Sequence, residues 1–423
     1  MASPSRSTRG SGQPEVVEIC AGAGGQSHGL ERAGFDHRLA VELDPSAAAT
    51  LRHNRPSWLV AEGDVASTDT WQPSDYKGVD LLAGGVPCPP FSIAGKQRGA
   101  NDERDLFAWA VEQVEVVRPR ALLLENVRGL SGSRFAGYRQ YVLDRLADLG
   151  YVGEWKLLNA CDFGVAQLRP RFVLVALQPD DARYFRWPTP LAGPPPTVGE
   201  ALVDLMAEND WIHAEYWASK ANAIGPTIVG GSKRHGGADL GPTRAKRAWA
   251  ELHVDAMGVA NEAPAKRARK SLHPRLTIEM VAKLQGFDST EWEIVGKKTS
   301  RYRQVGNAFP PPVAEAVGKA IRDALDHEGV ARSDGSVNRE LHDPVLRALK
   351  SVTDFVPETD LIAVHERRIS LDRHIDHLME DFEIDVRDGR RERSYKLVGF
   401  KAFVGQSDHA RHDAFTAQRS TIS

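Results

Sequence analysis

The chain has 423 residues, 41% hydrophobic and 26% charged, with a formal net charge of −3. That length exceeds one typical domain, so two or three cores are expected. Cys20, Cys88 and Cys161 are too few for a disulfide scaffold and lack metal-ligand spacing, so no metal is expected and a reducing, cytoplasmic setting fits; no apolar run reaches the roughly 18–20 residues of a membrane span.

Residues 1–13 are rich in Ser, Arg and Gly, carry no apolar stretch, and read as a loose tail rather than a signal peptide. Apolar runs and amphipathic stretches then alternate. Strands are expected at 16–20, 39–43, 79–83, 121–124, 155–158 and 172–177, with helices at 25–33, 46–53, 106–117 and 138–149. This alternation implies an α/β fold with a doubly wound, mostly parallel sheet. Pro188, Pro190 and Pro194 to Pro196 break the pattern. Residues 189–271 are rich in Gly, aromatic and basic side chains and show weak periodicity. A helix is expected at 277–284, stopped by Gly286, and another from Pro311-Pro312 to residue 326, since proline is tolerated in a first turn. Beyond Gly329, helices are expected at 341–352 and 371–382, and an alternating apolar piece at 395–404. The chain thus divides into a tail (1–13), a main domain (14–188 with 272–328), an irregular insert (189–271) and an extension (329–423). The extension suits a docking module and a packing extension equally.

Chemistry gathers where strands are expected to end. Gly84-Gly85-Val86-Pro87-Cys88-Pro89-Pro90-Phe91-Ser92 follows the run 79–83. Its glycines and prolines stop a strand and hold one cysteine at the carboxyl edge, where ligands gather in open α/β sheets. A thiol fixed there is a candidate nucleophile, although a lone cysteine more often behaves as a small hydrophobe. Glu18 to Gly25 runs from a strand through a glycine turn into a helix, whose N-terminus favours negative charge. Gln26 and Ser27 break the spacing of a dinucleotide fingerprint. Glu42, about 20 residues on, can accept ribose hydroxyls, and Asp64 can accept from an adenine amine; taken singly each would be a surface acid. Glu125 follows an apolar run that favours its protonated form, so it could donate to a ring nitrogen. Alternation puts Arg169 and Arg171 of Gln167-Leu168-Arg169-Pro170-Arg171 on one face of an extended segment, suited to a base carbonyl or a phosphate. Gln304 to Pro310 reads as a glycine-containing turn leading into the final helix.

In this order the motifs resemble those of the C5-cytosine DNA methyltransferase family, in its bacterial restriction–modification form. The resemblance spans about residues 16 to 325. It takes in the Gly22–Gly25 loop, Glu42, Asp64, Pro87-Cys88, Glu125-Asn126-Val127, Gln167-x-Arg169-x-Arg171, Arg275-Leu276-Thr277 with Leu284-Gln285-Gly286-Phe287, and Gly306-Asn307. It departs at Cys20, where the family often has Phe, and at Val86 and Pro89, commonly Pro and Gln. Glu279-Met280 stands in place of a frequent Arg-Glu pair, which puts that helix's internal salt bridge in question.

The resemblance implies a Rossmann-like, S-adenosylmethionine-dependent fold and transfer of a methyl group to C5 of cytosine in duplex DNA. The route it implies is a transient Cys88–C6 bond with the base flipped out of the helix. It makes Cys88 the thiolate, Glu125 the group at N3 and the exocyclic amine, Arg169 the charge at O2 and Arg171 the support for Glu125. The cofactor contacts it implies are Cys20, Ala21, Gly22, Gly24, Gly25, Glu42 at the ribose, Leu43, Asp64 at the adenine amine, Val65, Pro87, Leu106 and Asn307. Ser92, Lys233, Arg234 and Arg244 are the implied DNA contacts. Residues 189–271 fall where the family places target recognition. Charge agrees with that role: ten Lys and Arg against four Asp and Glu give residues 228–275 a net +6, leaving −9 elsewhere. A monomer acting on double-stranded DNA is expected, with a cognate restriction endonuclease encoded nearby. Two other readings share the fold: a tRNA-directed enzyme, whose Cys-Phe-Thr signature is not found here, and a non-catalytic DNA-binding regulator.

Overall fold

The structure is a computed structural model and describes residues 12–86, 104–132, 135–230, 238–332, 343–365, 370–389 and 392–400. The first part of the chain forms β1 (Glu15–Ile19), α1 (Gly25–Arg32), β2 (Asp36–Glu42), α2 (Pro45–Asn54), β3 (Val60–Glu62), β4 (Leu81–Gly84), α3 (Arg104–Val117), β5 (Ala121–Val127), α4 (Ala136–Asp148), β6 (Val152–Asn159) and β7 (Pro170–Leu177). After a short turn of helix, α5 (Pro179–Ala182), come α6 (Val198–Met206), α7 (Ala214–Lys220), α8 (Thr243–Glu251), α9 (Ile278–Leu284), α10 (Lys298–Asn307) and α11 (Pro311–Leu325). The extension adds α12 (Pro344–Lys350), β8 (Val356–Pro357), α13 (Glu358–Val364), α14 (Leu371–Asp381), β9 (Phe382–Asp388) and β10 (Arg393–Phe400).

Seven strands make one sheet in the order β3-β2-β1-β4-β5-β7-β6. The first five are parallel, and β7 runs antiparallel to both its neighbours. The strands are apolar on both faces. Val17, Ile19, Leu82, Leu122 and Leu124 enter one core, while Val16, Leu81, Ala83, Ala121 and Leu123 enter the other. Such strands need helices on both sides. Leu30 of α1 meets Val313, Val317 and Ile321 of α11 over one face; Phe107 and Val114 of α3 join Val142 and Leu146 of α4 over the other. The doubly wound, mostly parallel α/β fold is therefore present, and each expected strand forms within a few residues of its expected ends.

A third core holds the insert together. Trp211, Trp217 and Trp249 pack with Val198, Leu202 and Met206, and also with Ile278, Val281 and Leu284 of α9 and Tyr302 of α10. The insert is thus less irregular than its weak periodicity implies. Thr197 caps α6 in a reciprocal box with Glu200. Glu279 makes its ion pair between helices, with Arg301 of α10 at 2.7 Å, rather than inside α9.

Of the segment expected to be a turn, 304–310, residues 304–307 form the last turn of α10. Its sequence is largely polar, so the buried positions Tyr302, Gln304, Val305 and Gly306 give no apolar stripe to read. In the extension, the expected alternating piece becomes β10, paired antiparallel with β9. The extension has its own core of Val345, Leu346, Leu349, Leu361, Ile375, Leu378, Phe382 and Tyr395, which also packs against Tyr141 of α4, edge-on to Phe382. Lys350 pairs with Asp144 of the same helix. The extension therefore does pack on the main domain, along α4.

Candidate active site

The strand order creates a crevice. β1 has β2 on one side and β4 on the other, so the chain leaves their carboxyl ends in diverging directions, and ligands bind at such switch points. Along that edge stand Asp64 just past β3, Glu42 as the last residue of β2, the Cys20–Gly25 loop after β1, Gly85 after β4 and Glu125 near the end of β5. A cavity of about 470 Å³ runs beneath them.

The loop after β1 turns sharply. Cys20 has φ 51°, Gly22 57° and Gly24 87°, a left-handed region that is uncommon for a residue other than glycine. Gly24 is dictated by packing: a β-carbon there would lie 2.1 Å from Trp292 Cζ2. The Trp292 indole also donates to the Ala23 carbonyl at 2.8 Å. Glu42 holds the loop from the other side, its Oε2 accepting from the Gly22 N–H at 2.7 Å and its Oε1 from the Asp44 N–H at 2.6 Å. Each oxygen keeps lone-pair capacity for a further donor. Burial pushes the Glu42 carboxyl up, opposed by these backbone donors. Asp64 Oδ1 accepts from the Ala66 N–H at 2.8 Å.

Of the expected cofactor residues, Cys20, Ala21, Gly22, Gly25, Glu42, Leu43, Asp64, Val65, Leu106 and Asn307 line the cavity. Gly24 does not; its α-carbon faces Trp292 instead. Sequence reasoning missed Gln26 and, on α10, Ser300, Arg303 and Gln304, which share one face with the expected Asn307. Those four recur at helical spacing, a signal that was available once 298–307 was read as helix. Thr50 fastens that face to α2 by donating to Gln304 Oε1 at 2.6 Å. The lining fits an adenosyl cofactor: two acids, Glu42 and Asp64, able to accept from hydroxyls or an amine, an open Gly22, and apolar Val65 and Leu106.

At the other end of the edge, β7 starts where β5 stops, with Arg171 opposite Val127. Arg171 Nε lies 2.5 Å from Glu125 Oε1, and both residues are buried. Burial pushes the Glu125 carboxyl up, opposed by Arg171 and Arg169. Asn126 ties this strand end to the next: its Nδ2 donates to the Val86 carbonyl at 3.3 Å, and its Oδ1 accepts from the Val127 N–H.

Arg169 behaves differently from expectation. Its φ of 21° breaks the extended run, so it does not alternate with Arg171 on one face. Fully buried, it donates to the carbonyls of Ile228 (2.8 Å), Gly306 (2.8 Å) and Ala308 (2.6 Å). Gln167 completes the knot, accepting from the Ile228 N–H and donating to the Leu284 carbonyl and Gln285 Oε1. Gly230 and Gly306 touch beside it: a β-carbon on Gly306 would lie 2.4 Å from Gly230 Cα, and one on Gly230 would lie 2.3 Å from Asn307 Oδ1. Arg169 is thus a junction between the insert and the main domain.

Pro87, Cys88 and Ser92 lie outside the described residues, as do Lys233 and Arg234. Arg244 is exposed on α8. Burial pushes the Cys20 thiol well up, with Glu42, Asp64 and Glu18 adding to it. Cys161 moves the same way, through burial and then Asp162. Neither is a ready thiolate at neutral pH.

A family model for C-5 cytosine-specific DNA methylases matches residues 15–323. The chain is 62% identical to the type II methyltransferase M.NaeI of Lentzea aerocolonigenes, over 97% of this chain and 99% of that one. It is 51% identical to the type II methyltransferase M.NgoMIV of Neisseria gonorrhoeae, over 74% of this chain and 98% of the relative. Among solved structures, a mutant DNMT2 of Spodoptera frugiperda shares the fold, with a TM-score of 0.51 at 16% identity over 73% of this chain and 99% of that one. The fold and the cleft define a Rossmann-like methyltransferase. The chain belongs to the C-5 cytosine-specific DNA methylase family and is a DNA (cytosine-5-)-methyltransferase, whose methyl donor is S-adenosylmethionine. No described helix is long and apolar enough to cross a membrane.

Proposed function

We propose that the chain methylates one short duplex sequence as the protecting half of a type II restriction–modification system, acting as a cytoplasmic monomer through a Cys88–C6 adduct. One observation supports the chemistry above all: the buried Glu125–Arg171 pair stands two strands along the same edge from the glycine loop that closes the cofactor cavity.

S-adenosylmethionine, when bound, supplies an electrophilic methyl group. Glu42 would hold its ribose and Asp64 its adenine amine. Cytosine C5 inside a duplex is out of reach and weakly nucleophilic, so the base leaves the stack. The Cys88 thiolate attacks C6, a bond that moves electron density onto C5 and charge onto the ring. Glu125, its carboxyl favoured in the protonated form by burial, bonds at N3 and the exocyclic amine where that charge forms. Arg171 would fix the orientation of Glu125. Arg169, with three of its donors on carbonyls and its Nε without a partner among the described residues, keeps the role at O2 that the resemblance implies. C5 would then take the methyl group, the donor leaving as S-adenosylhomocysteine, and loss of the C5 proton would expel the sulfur and restore the ring. Residues 189–271 would select the target, with Lys233, Arg234 and Arg244 on phosphates and other side chains on base edges.

The test uses a duplex in which the target cytosine is 5-fluorocytosine, whose C5 substituent cannot leave as a proton. A covalent adduct at Cys88 is expected with the methyl donor present, and none with Cys88→Ser. Bisulfite sequencing of DNA from cells expressing the chain identifies the target. Normal turnover by Cys88→Ser would overturn the mechanism.

A further inference from the structure

Gln26 is the second residue of α1 and lines the cavity. It is 3% exposed, yet neither Oε1 nor Nε2 has a hydrogen-bond partner among the described residues. Buried amides are nearly always satisfied, because leaving both ends unmade is costly. Its place along the edge is defined. A β-carbon on Gly85 would lie 3.9 Å from Gln26 Oε1 and 3.7 Å from Glu125 Oε2. Gln26 therefore sits beside the β1–β4 step, between Glu42 on one side and Glu125 on the other. Adjacent strands are about 4.8 Å apart, so Asp64, after β3, is about three strand spacings from β4. An adenosyl group anchored at Asp64 and Glu42 leaves only its amino-acid end to reach this step. That end carries a carboxylate, which accepts, and an ammonium, which donates. A primary amide offers both complements.

We propose that Gln26 is a positioning residue that clamps the amino-acid end of the methyl donor, Nε2 donating to the carboxylate and Oε1 accepting from the ammonium. The inference rests on the cavity being the S-adenosylmethionine site. Gln26 would thereby fix where the sulfur sits along the edge between Glu42 and Glu125.

Equilibrium binding of two ligands separates this from a structural role. S-adenosylhomocysteine has the amino-acid end; 5′-deoxy-5′-methylthioadenosine lacks it. Calorimetry on the full chain would compare wild type, Gln26→Met, which keeps length and removes both polar atoms, and Gln26→Glu, which sets a carboxylate against a carboxylate. Gln26→Met is expected to weaken S-adenosylhomocysteine by about tenfold or more and to leave methylthioadenosine unchanged, with Gln26→Glu weakening the first ligand further. The ligand-free unfolding temperature of Gln26→Met should stay level or rise, because an unpaired buried amide has gone. Equal weakening of both ligands, or weakening of neither, overturns the clamp. Wild type that binds neither ligand would instead overturn the cofactor site itself.

Discussion

Glu125 combines two demands in one carboxyl. It must stay protonated enough to bond a ring nitrogen, and it must keep Arg171 from being a lone buried cation. Burial serves the first and the 2.5 Å contact serves the second. Glu125→Gln keeps an acceptor for Arg171 and a donor for the ring but cannot follow the change in charge. Single-turnover methylation should fall by about 10²–10³-fold, with S-adenosylhomocysteine affinity unchanged by calorimetry. Glu125→Ala, which strands Arg171, should also lose about 3–5 kcal/mol of stability in urea titration. Single residues were legible where a strand end fixed them. Glu42, Asp64, Glu125 and Arg171 follow apolar runs or alternate along one, and all reach the edge. Arg169 does not alternate with Arg171 as expected, because a positive φ before Pro170 leaves no trace in composition. Gln26 was visible only as an interruption of a glycine spacing; its burial depends on Gly85 and Glu125, distant in sequence.

At the scale of elements, α10 joins the insert to the cofactor cavity. Asn307 and Arg303 line the cavity, and Gly306 and Asn307 both meet Gly230, immediately before the basic stretch containing Lys233 and Arg234. Gly306→Ala places a methyl group where backbone already lies, 2.4 Å away. Overpacking of this kind costs about 1–3 kcal/mol. The expected result is weaker binding of both S-adenosylhomocysteine and target duplex, measured separately, with the α/β core retained by circular dichroism; a loss confined to one ligand would show that the contact does not join the two sites. This helix was not legible because its buried positions are a tyrosine, a glutamine, a valine and a glycine among charged neighbours. The helices with apolar faces, α1 to α4 and α11, were read to within a few residues.

Taken whole, the molecule carries more chain than the family match covers. The family match ends at residue 323, and the extension adds a separate core seated on α4. A chain ended after Gly329 should methylate its target duplex at the wild-type rate while unfolding at a lower temperature, because Tyr141 and Asp144 lose Phe382 and Lys350. Loss of activity without loss of stability would mean that the extension touches DNA or cofactor.

The bond from Trp292 to Ala23 has a consequence in time. A ribosome reaches the turn after β1 almost at once and Trp292 only after some 270 further residues, which at about 5–20 residues per second is a delay of tens of seconds. Until then the turn is held by Glu42 alone, and the α10 wall has yet to be made. A nascent or prematurely terminated chain would therefore carry the loop yet hold no methyl donor, so modification of the genome starts with finished copies and never with fragments.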